Sequence, residues 1–337
     1  MSPPAARRVV RALEKEGIGL AFGIPGTHNI ELYDALSGSD SVETVLVTDE
    51  QSASFMADGV WRASGRMACV NVVPGAGLTH ALSGIAEAYM DNVPMLVLGC
   101  GIRRDSEMAF QLHDVDQASI VEPVVKGTFR PGRAEEIEPT IRRACRLARG
   151  GAPGPVFVEI PANLYMVTGS GEAGSGAAPP DGEEVAPAAP DGEAVEGAAR
   201  ILREARRPLL YVGLGAAGAR EEVLELAERL EAPVSTTFQG KGVFPESHPL
   251  ALWPGFGNSA PPFARAVAGS CDATLALGCR FGEVGTGSYG LEPPGPLIHV
   301  DIDPRVPGRN FRAEVASVVD AGAFGGALLE ALGDGGR

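Results

Sequence analysis

Thr48-Asp49-Glu50-Gln51-Ser52-Ala53-Ser54-Phe55-Met56-Ala57-Asp58-Gly59 follows at once on the apolar run 42–47. The run reads as a strand, and the residues after Asp49 read as a helix. The same alternation continues on both sides. Strands are predicted at 20–22, 42–47, 68–73, 95–98, 124–129 and 156–160. Helices are predicted near 4–16, 29–37, 50–64, 77–90 and 135–149. Short apolar strands separated by helices of this length imply a parallel sheet covered on both faces.

From residue 168 the composition changes. Residues 168–191 are nearly all Gly, Ala, Pro, Ser and acid, too poor in apolar side chains to order by themselves. The alternation then resumes, with helices at 194–205, 220–231, 262–269 and 321–332 and strands at 208–212, 233–237, 273–277 and 297–302. The expected fold class is α/β, with two doubly wound parallel-sheet domains. They span 1–167 and 194–334, the second Rossmann-like, joined by a flexible linker at 168–193.

Lys plus Arg number 28 and Asp plus Glu 43, a formal net charge of −15. Nucleic acid and anionic membranes demand a basic face, so neither is expected as a partner. Cys69, Cys100, Cys145, Cys271 and Cys279 are widely spaced with no C-x-x-C pair. They read as small buried residues in a reducing compartment, not as a disulfide frame or zinc site. The first residues carry no apolar signal core and no stretch is long enough to span a bilayer, so the expected location is cytoplasmic.

Glu50 has a plain explanation as an acid at a helix start, favoured by the dipole. Its neighbours Ala53, Phe55, Met56 and Ala57 also predict a dry face there, where a carboxyl can exchange a proton with a ligand. Phe22-Gly23-Ile24-Pro25-Gly26-Thr27-His28-Asn29 reads as a tight turn that lets backbone approach something closely. The plain alternative is a strand-to-helix turn with Asn29 as N-cap. Pro74-Gly75-Ala76-Gly77 allows a ligand near a helix N-terminus. Ala109-Phe110-Gln111-Leu112-His113-Asp114 is a polar loop between strands, where both functional and merely solvated residues occur. Gly213-Leu214-Gly215-Ala216-Ala217-Gly218 fits a dinucleotide turn, but no acid follows the next strand to hold a ribose.

These segments recur in a definite order with Gly84-Ile85-Ala86-Glu87-Ala88-Tyr89-Met90-Asp91-Asn92-Val93-Pro94, Gly154-Pro155-Val156-Phe157-Val158-Glu159-Ile160-Pro161, Leu277-Gly278-Cys279-Arg280-Phe281 and Ile298-His299-Val300-Asp301-Ile302-Asp303-Pro304. The set resembles thiamine-diphosphate enzymes of the acetolactate synthase and 2-oxo-acid decarboxylase superfamily. The resemblance implies that the first domain binds the cofactor's pyrimidine and that the second is the family's Rossmann-like central domain. It implies that Glu50 hydrogen-bonds N1′ of the aminopyrimidine. It places Pro25, Gly26, Thr27, Gly75 and Gly77 against the cofactor, and Gln111, His28 and His113 near the reacting carbon. Thr27 lacks the charge that decarboxylase relatives can carry there. Ala76, Leu78 and His80 depart from the family's Gly-Pro-Gly-Ala-Thr-Asn. The Phe110-Gln111 pair favours decarboxylation of a 2-oxo acid with carboligation or acyl transfer, and release of an aldehyde is the alternative.

In that family, Mg²⁺ and the diphosphate are held by Gly-Asp-Gly and a later Asn, oxygen ligands suited to a hard cation. Here Gly-Asp-Gly occurs only at 333–335, so no metal ligand is assigned to this chain. The implied cofactors are thiamine diphosphate and, through a separate diphosphate-binding subunit in an α2β2 assembly, Mg²⁺. FAD across the central domain stays open. So do a non-catalytic FAD- or nucleotide-binding regulatory partner and a truncated gene.

Overall fold

The computed structural model describes residues 4–168 and 189–333, which fall into two compact units within Met1–Val185 and Ala186–Arg337. Most of the expected linker and the end of the 333–335 motif lie outside the described residues. Thr168, expected to begin the linker, bridges to Pro4.

The first unit runs α1 (Ala6–Lys15), β1 (Leu20–Gly23), α2 (Ile30–Leu36), β2 (Glu43–Leu46), α3 (Glu50–Ser64), β3 (Cys69–Val72), α4 (Ala76–Met90), β4 (Leu96–Gly101), α5 (Gln117–Val121), β5 (Thr128–Phe129), α6 (Ile137–Arg149), β6 (Val156–Pro161) and α7 (Ala162–Tyr165). The strands form one parallel sheet in the order β2-β1-β3-β4-β6-β5. Val9, Leu13, Leu32, Ile137 and Ile141 fill one side of it. Ala53, Ala57, Leu78, Ala81 and Ile85 pack against Val70, Val72, Val97 and Phe157 on the other. β4 and β6 are buried along their whole length, which is why they read as unbroken apolar runs.

Two local expectations change. The strand at 124–129 shrinks to β5, because Pro123 sits in a 3-10 turn over Glu122–Val124 and cannot donate to a ladder. The dry face of α3 is narrower than expected. Ala53 and Ala57, one turn apart, are buried, whereas Phe55 and Met56 are each 45% exposed, as helical periodicity requires.

Asp49 caps α3 by accepting from the N–H groups of Gln51 and Ser52 at 3.3 and 3.2 Å. Farther along, Arg62 donates to Asp58 at 2.6 Å and to Asp91, just past α4, at 2.9 Å. That clamp ties together the two helices whose starts carry Glu50 and Gly77. Asp58 is 6% exposed, so Arg62→Ala strands a buried carboxylate. The expected loss is about 2 kcal/mol, below the full cost of breaking a buried pair because Arg62 itself is partly in water. Urea unfolding of the variant checks it.

The second unit runs α8 (Gly192–Glu204), β7 (Pro208–Val212), α9 (Arg220–Leu230), β8 (Val234–Thr236), α10 (Pro262–Gly269), β9 (Ala273–Leu277), β10 (Leu297–Asp301), β11 (Val315–Val318) and α11 (Ala321–Leu332). Its parallel sheet has the order β11-β10-β9-β7-β8. No helix is long and apolar enough to cross a membrane among the described residues.

His299 on β10 is 1% exposed. Its Nδ1 accepts from the Gly308 N–H at 3.1 Å, so the ring proton sits on Nε2, which donates to the Cys279 carbonyl at 2.8 Å. Burial lowers its pKa below the ordinary 6.5, and the Cys279 bond offsets only part of that. Above pH 6.5 the group is neutral in both states. As pH falls below 6.5, the unfolded chain takes up a proton that the folded unit refuses, and stability is lost. The gap in melting temperature between wild type and His299→Gln is therefore expected to narrow between pH 7 and pH 5.

Candidate active site

In an open α/β sheet, ligands sit beyond the strand C-termini where the strand order reverses. In the first sheet that point lies between β1 and β3. The loops leaving β1, β2 and β3 carry Pro25–Thr27, Asp49–Glu50 and Pro74–Gly77.

Val73 ties these loops together. The Cβ that an alanine would carry at Gly26 would lie 2.7 Å from Val73 Cγ1, and at Gly77 2.8 Å from Val73 Cγ2. The same Gly77 position is 3.1 Å from Glu50 Oε1. Glycine at 77 is thus what lets Val73 and the Glu50 carboxylate pack this closely against the start of α4. Gly75 starts α4 at φ +67, a left-handed conformation that glycine adopts without strain.

Glu50 occupies the first turn of α3, and its side chain is 12% exposed. Among the described residues no donor reaches it within hydrogen-bond range. The nearest basic atom is His80 Nδ1 at 3.6 Å from Oε2. A carboxylate mostly shielded from water and left without a donor suits a ligand nitrogen. Asp49, Glu50 and His80 bring ligand atoms within 4.8 Å of one another. Asp49 is already spent on capping α3, however, and His80 is largely exposed, so nothing completes a cation shell.

The β1–α2 loop is held from beneath. Asn29 stands at the N-cap position of α2, yet its side chain turns back. Oδ1 accepts from the Gly26 N–H at 2.7 Å, and Nδ2 donates to the Ile24 carbonyl at 3.4 Å. Asn29 is therefore a loop clamp, not the helix cap of the plain sequence alternative. Cys100 Sγ donates to the His28 carbonyl at 3.0 Å. Burial pushes that thiol up to about 12, so it remains a donor. All five cysteines are buried and unpaired. Pro25 and Thr27 are exposed on the loop surface.

The rings of His28 and His113 lie 5.6 Å apart. Burial and the neighbouring His113 lower the pKa of His28, against a partly raising bond from the Leu112 backbone. His113 also packs on Gly75, its Cβ 3.5 Å from where a Gly75 side chain would begin. Gln111 is half-buried on the same loop. Its carbonyl accepts from Asp114, and its side chain makes no hydrogen bond among the described residues. The structure thus brings Glu50, Gly26 and Gly77 around Val73 and joins His28 to Gly75 through His113. Val73, Asn29 and Cys100 do their work through packing and backbone contacts, for which the sequence carries no motif.

In the second unit the first two glycines of the turn face protein. Side chains at Gly213 and Gly215 would come within 2.1 and 2.8 Å of Gly278. Gly213 and Gly215 thus admit a neighbouring loop, whereas Gly218 has open space on its Cβ side.

Two family models match the chain: the N-terminal TPP binding domain of thiamine pyrophosphate enzymes over residues 4–120, and their central domain over residues 195–332. The chain is 36% identical over 337 residues to a probable acetolactate synthase large subunit of Methanocaldococcus jannaschii, covering 97% of this chain and 56% of that one. It is 33% identical over 349 residues to the acetolactate synthase isozyme 3 large subunit of Escherichia coli, covering 97% and 57%. The chain thus spans little more than half the length of these relatives.

Proposed function

The chain belongs to the thiamine pyrophosphate enzymes, whose N-terminal and central domains it carries, and on that premise we propose that it is the Glu50-bearing subunit of a split enzyme acting on 2-oxo acids. The reaction is decarboxylation followed by carboligation, as in acetolactate synthesis. The observation that carries this reading is the donor-free, shielded carboxylate of Glu50 packed beside Gly77. An orphan acid next to a glycine cradle fits an aminopyrimidine ring.

Thiamine diphosphate, when bound, supplies the carbon nucleophile that attacks the 2-oxo carbonyl and holds the electron pair as carbon dioxide leaves. Glu50 holds the proton at the pyrimidine N1′. Gly75 and Gly77 let the chain approach that ring closely, and Pro25, Gly26 and Thr27 border it. Asn29 and Cys100 keep the bordering loop from swinging away. His28, with its pKa lowered by burial, is neutral at pH 7 and can accept or donate a hydrogen bond to a substrate oxygen. His113 positions that ring and closes the space over Gly75.

A separate diphosphate- and Mg²⁺-binding subunit in an α2β2 assembly is part of this proposal. Five unpaired buried thiols favour the cytoplasm. The test is reconstitution. The chain is tagged and co-expressed with a diphosphate-binding polypeptide carrying Gly-Asp-Gly and a later Asn. It is then assayed with thiamine diphosphate, Mg²⁺ and pyruvate. Acetolactate with carbon dioxide is the expected product. An aldehyde in its place would shift the reading to a simple decarboxylase. Absence of any complex would replace the split enzyme with one continuous chain.

A further inference from the structure

Glu50 is assigned a carboxyl that gains and loses a proton, yet its side chain is only 12% exposed. A group so shielded needs a neighbour that can pass its proton to water. Imidazole suits that task near neutrality, because it can take a proton on one ring nitrogen and release one from the other. His80 stands in that place. Its Nδ1 lies 3.6 Å from Glu50 Oε2, while its own side chain is 66% exposed. The two oxygens of Glu50 face different neighbours. Oε1 packs at the backbone of Gly77, and Oε2 faces the imidazole.

The pair is carried on rigid elements. Gly84 of α4 lets α3 come close, since a side chain there would begin 2.4 Å from Ser54 Oγ. His80 precedes Gly84 by one turn and so lies on the same face of α4, opposite the start of α3. Arg62 ties the far ends of the helices through Asp58 and Asp91. From α3 two carboxylates face the ring, Glu50 and Asp49, whose Oδ1 is 3.7 Å from the same Nδ1. Asp49 is held by the N–H groups of Gln51 and Ser52, so it faces the ring as a fixed group. Among the described residues no hydrogen bond holds the His80 ring itself, and a small rotation of this exposed side chain closes the gap to Glu50.

Resting on the role assigned to Glu50, we propose that His80 is a positioning residue that connects the Glu50 carboxyl to solvent. The O–H bond at Oε2 breaks as an N–H bond forms at Nδ1 of the neutral ring. The imidazolium then releases its other proton from Nε2 to water, and the ring regains its first tautomer by exchange with solvent. The reverse sequence reloads the carboxyl. One proton moves and no electron is transferred. The family pattern Gly-Pro-Gly-Ala-Thr-Asn ends in an amide at this place, which cannot carry a proton in this way. The route is therefore a property of this chain and not of the pattern.

The test has two parts. The first uses the full chain without cofactor, labelled with carbon-13 at the glutamate carboxyl. The Glu50 resonance, assigned by its absence in Glu50→Gln, is expected to shift in a separate step as His80 titrates, and to lose that step in His80→Asn. The second uses the assembled enzyme and follows exchange of the C2 proton of bound thiamine diphosphate with deuterium. His80→Asn should slow exchange about tenfold, less than loss of Glu50 itself because water still reaches the carboxyl. Added imidazole should restore the rate, a response that a merely structural contact would not show. A wild-type Glu50 resonance without the His80 step, or a slowed exchange that imidazole leaves unchanged, would overturn the proposal. Exchange that falls in Glu50→Gln but not in His80→Asn would overturn it while leaving Glu50 in its role. Equal exchange in all three proteins would remove the role of Glu50 first, and the proposal with it.

Discussion

Glu50→Gln is expected to lower turnover of the reconstituted enzyme by about 100-fold or more, the range lost with a positioned proton-transfer group. Glutamine keeps the size and reach of the side chain, so contacts with Gly77 and the start of α3 survive. What it removes is a proton that can be gained and lost. The loss of helix-dipole stabilisation should cost about 0.5 kcal/mol, too little to disturb assembly. Glu50→Asp keeps the acid but withdraws it by one methylene from its place beside Gly77, so an intermediate loss is expected. Measured kcat with co-purification as the assembly control separates these outcomes from misfolding.

Gly23→Ala is expected to destabilise the first unit by about 3 kcal/mol or more, the upper range of overpacking. The added Cβ would lie 2.1 Å from the Asn71 carbonyl oxygen and 2.7 Å from the Tyr33 hydroxyl. A side chain could turn aside, but a carbonyl in β3 cannot. Gly23 pairs with Asn71 in the ladder that joins β1 to β3. Relief means opening the sheet at its reversal point, directly beneath the loops that carry Gly26 and Val73. Gly59→Ala is the internal control. That position lies within α3 and has open space around its Cβ, so alanine should stabilise by about 0.5–1 kcal/mol. Urea unfolding of the two variants should shift the midpoint in opposite directions.

The two parallel sheets are readable as short, largely apolar runs because β3, β4, β6, β7, β9 and β10 are buried on both faces. β11 is not, because it is four residues long and three of its residues reach water. α5 and α7, of five and four residues, are too short to establish a helical period. The glycines at 26, 75 and 77 announce close approach in the sequence, but what approaches them does not. Val73 and His113 meet them only once the sheet aligns three loops. The approach of His80 to Glu50 exists only in three dimensions, because the two stand on separate helices. The dinucleotide-like turn shows the reverse case. Its pattern is complete in sequence, yet what Gly213 and Gly215 admit is the loop at Gly278.

The most direct measurement is the rate at which the C2 proton of thiamine diphosphate exchanges with deuterium in the assembled enzyme, compared between wild type and Glu50→Gln. If Glu50 governs the proton at the pyrimidine N1′, exchange is fast in the wild type. In the variant it falls toward the rate of free cofactor while the cofactor stays bound. Equal exchange rates in the two proteins would contradict the role assigned to Glu50.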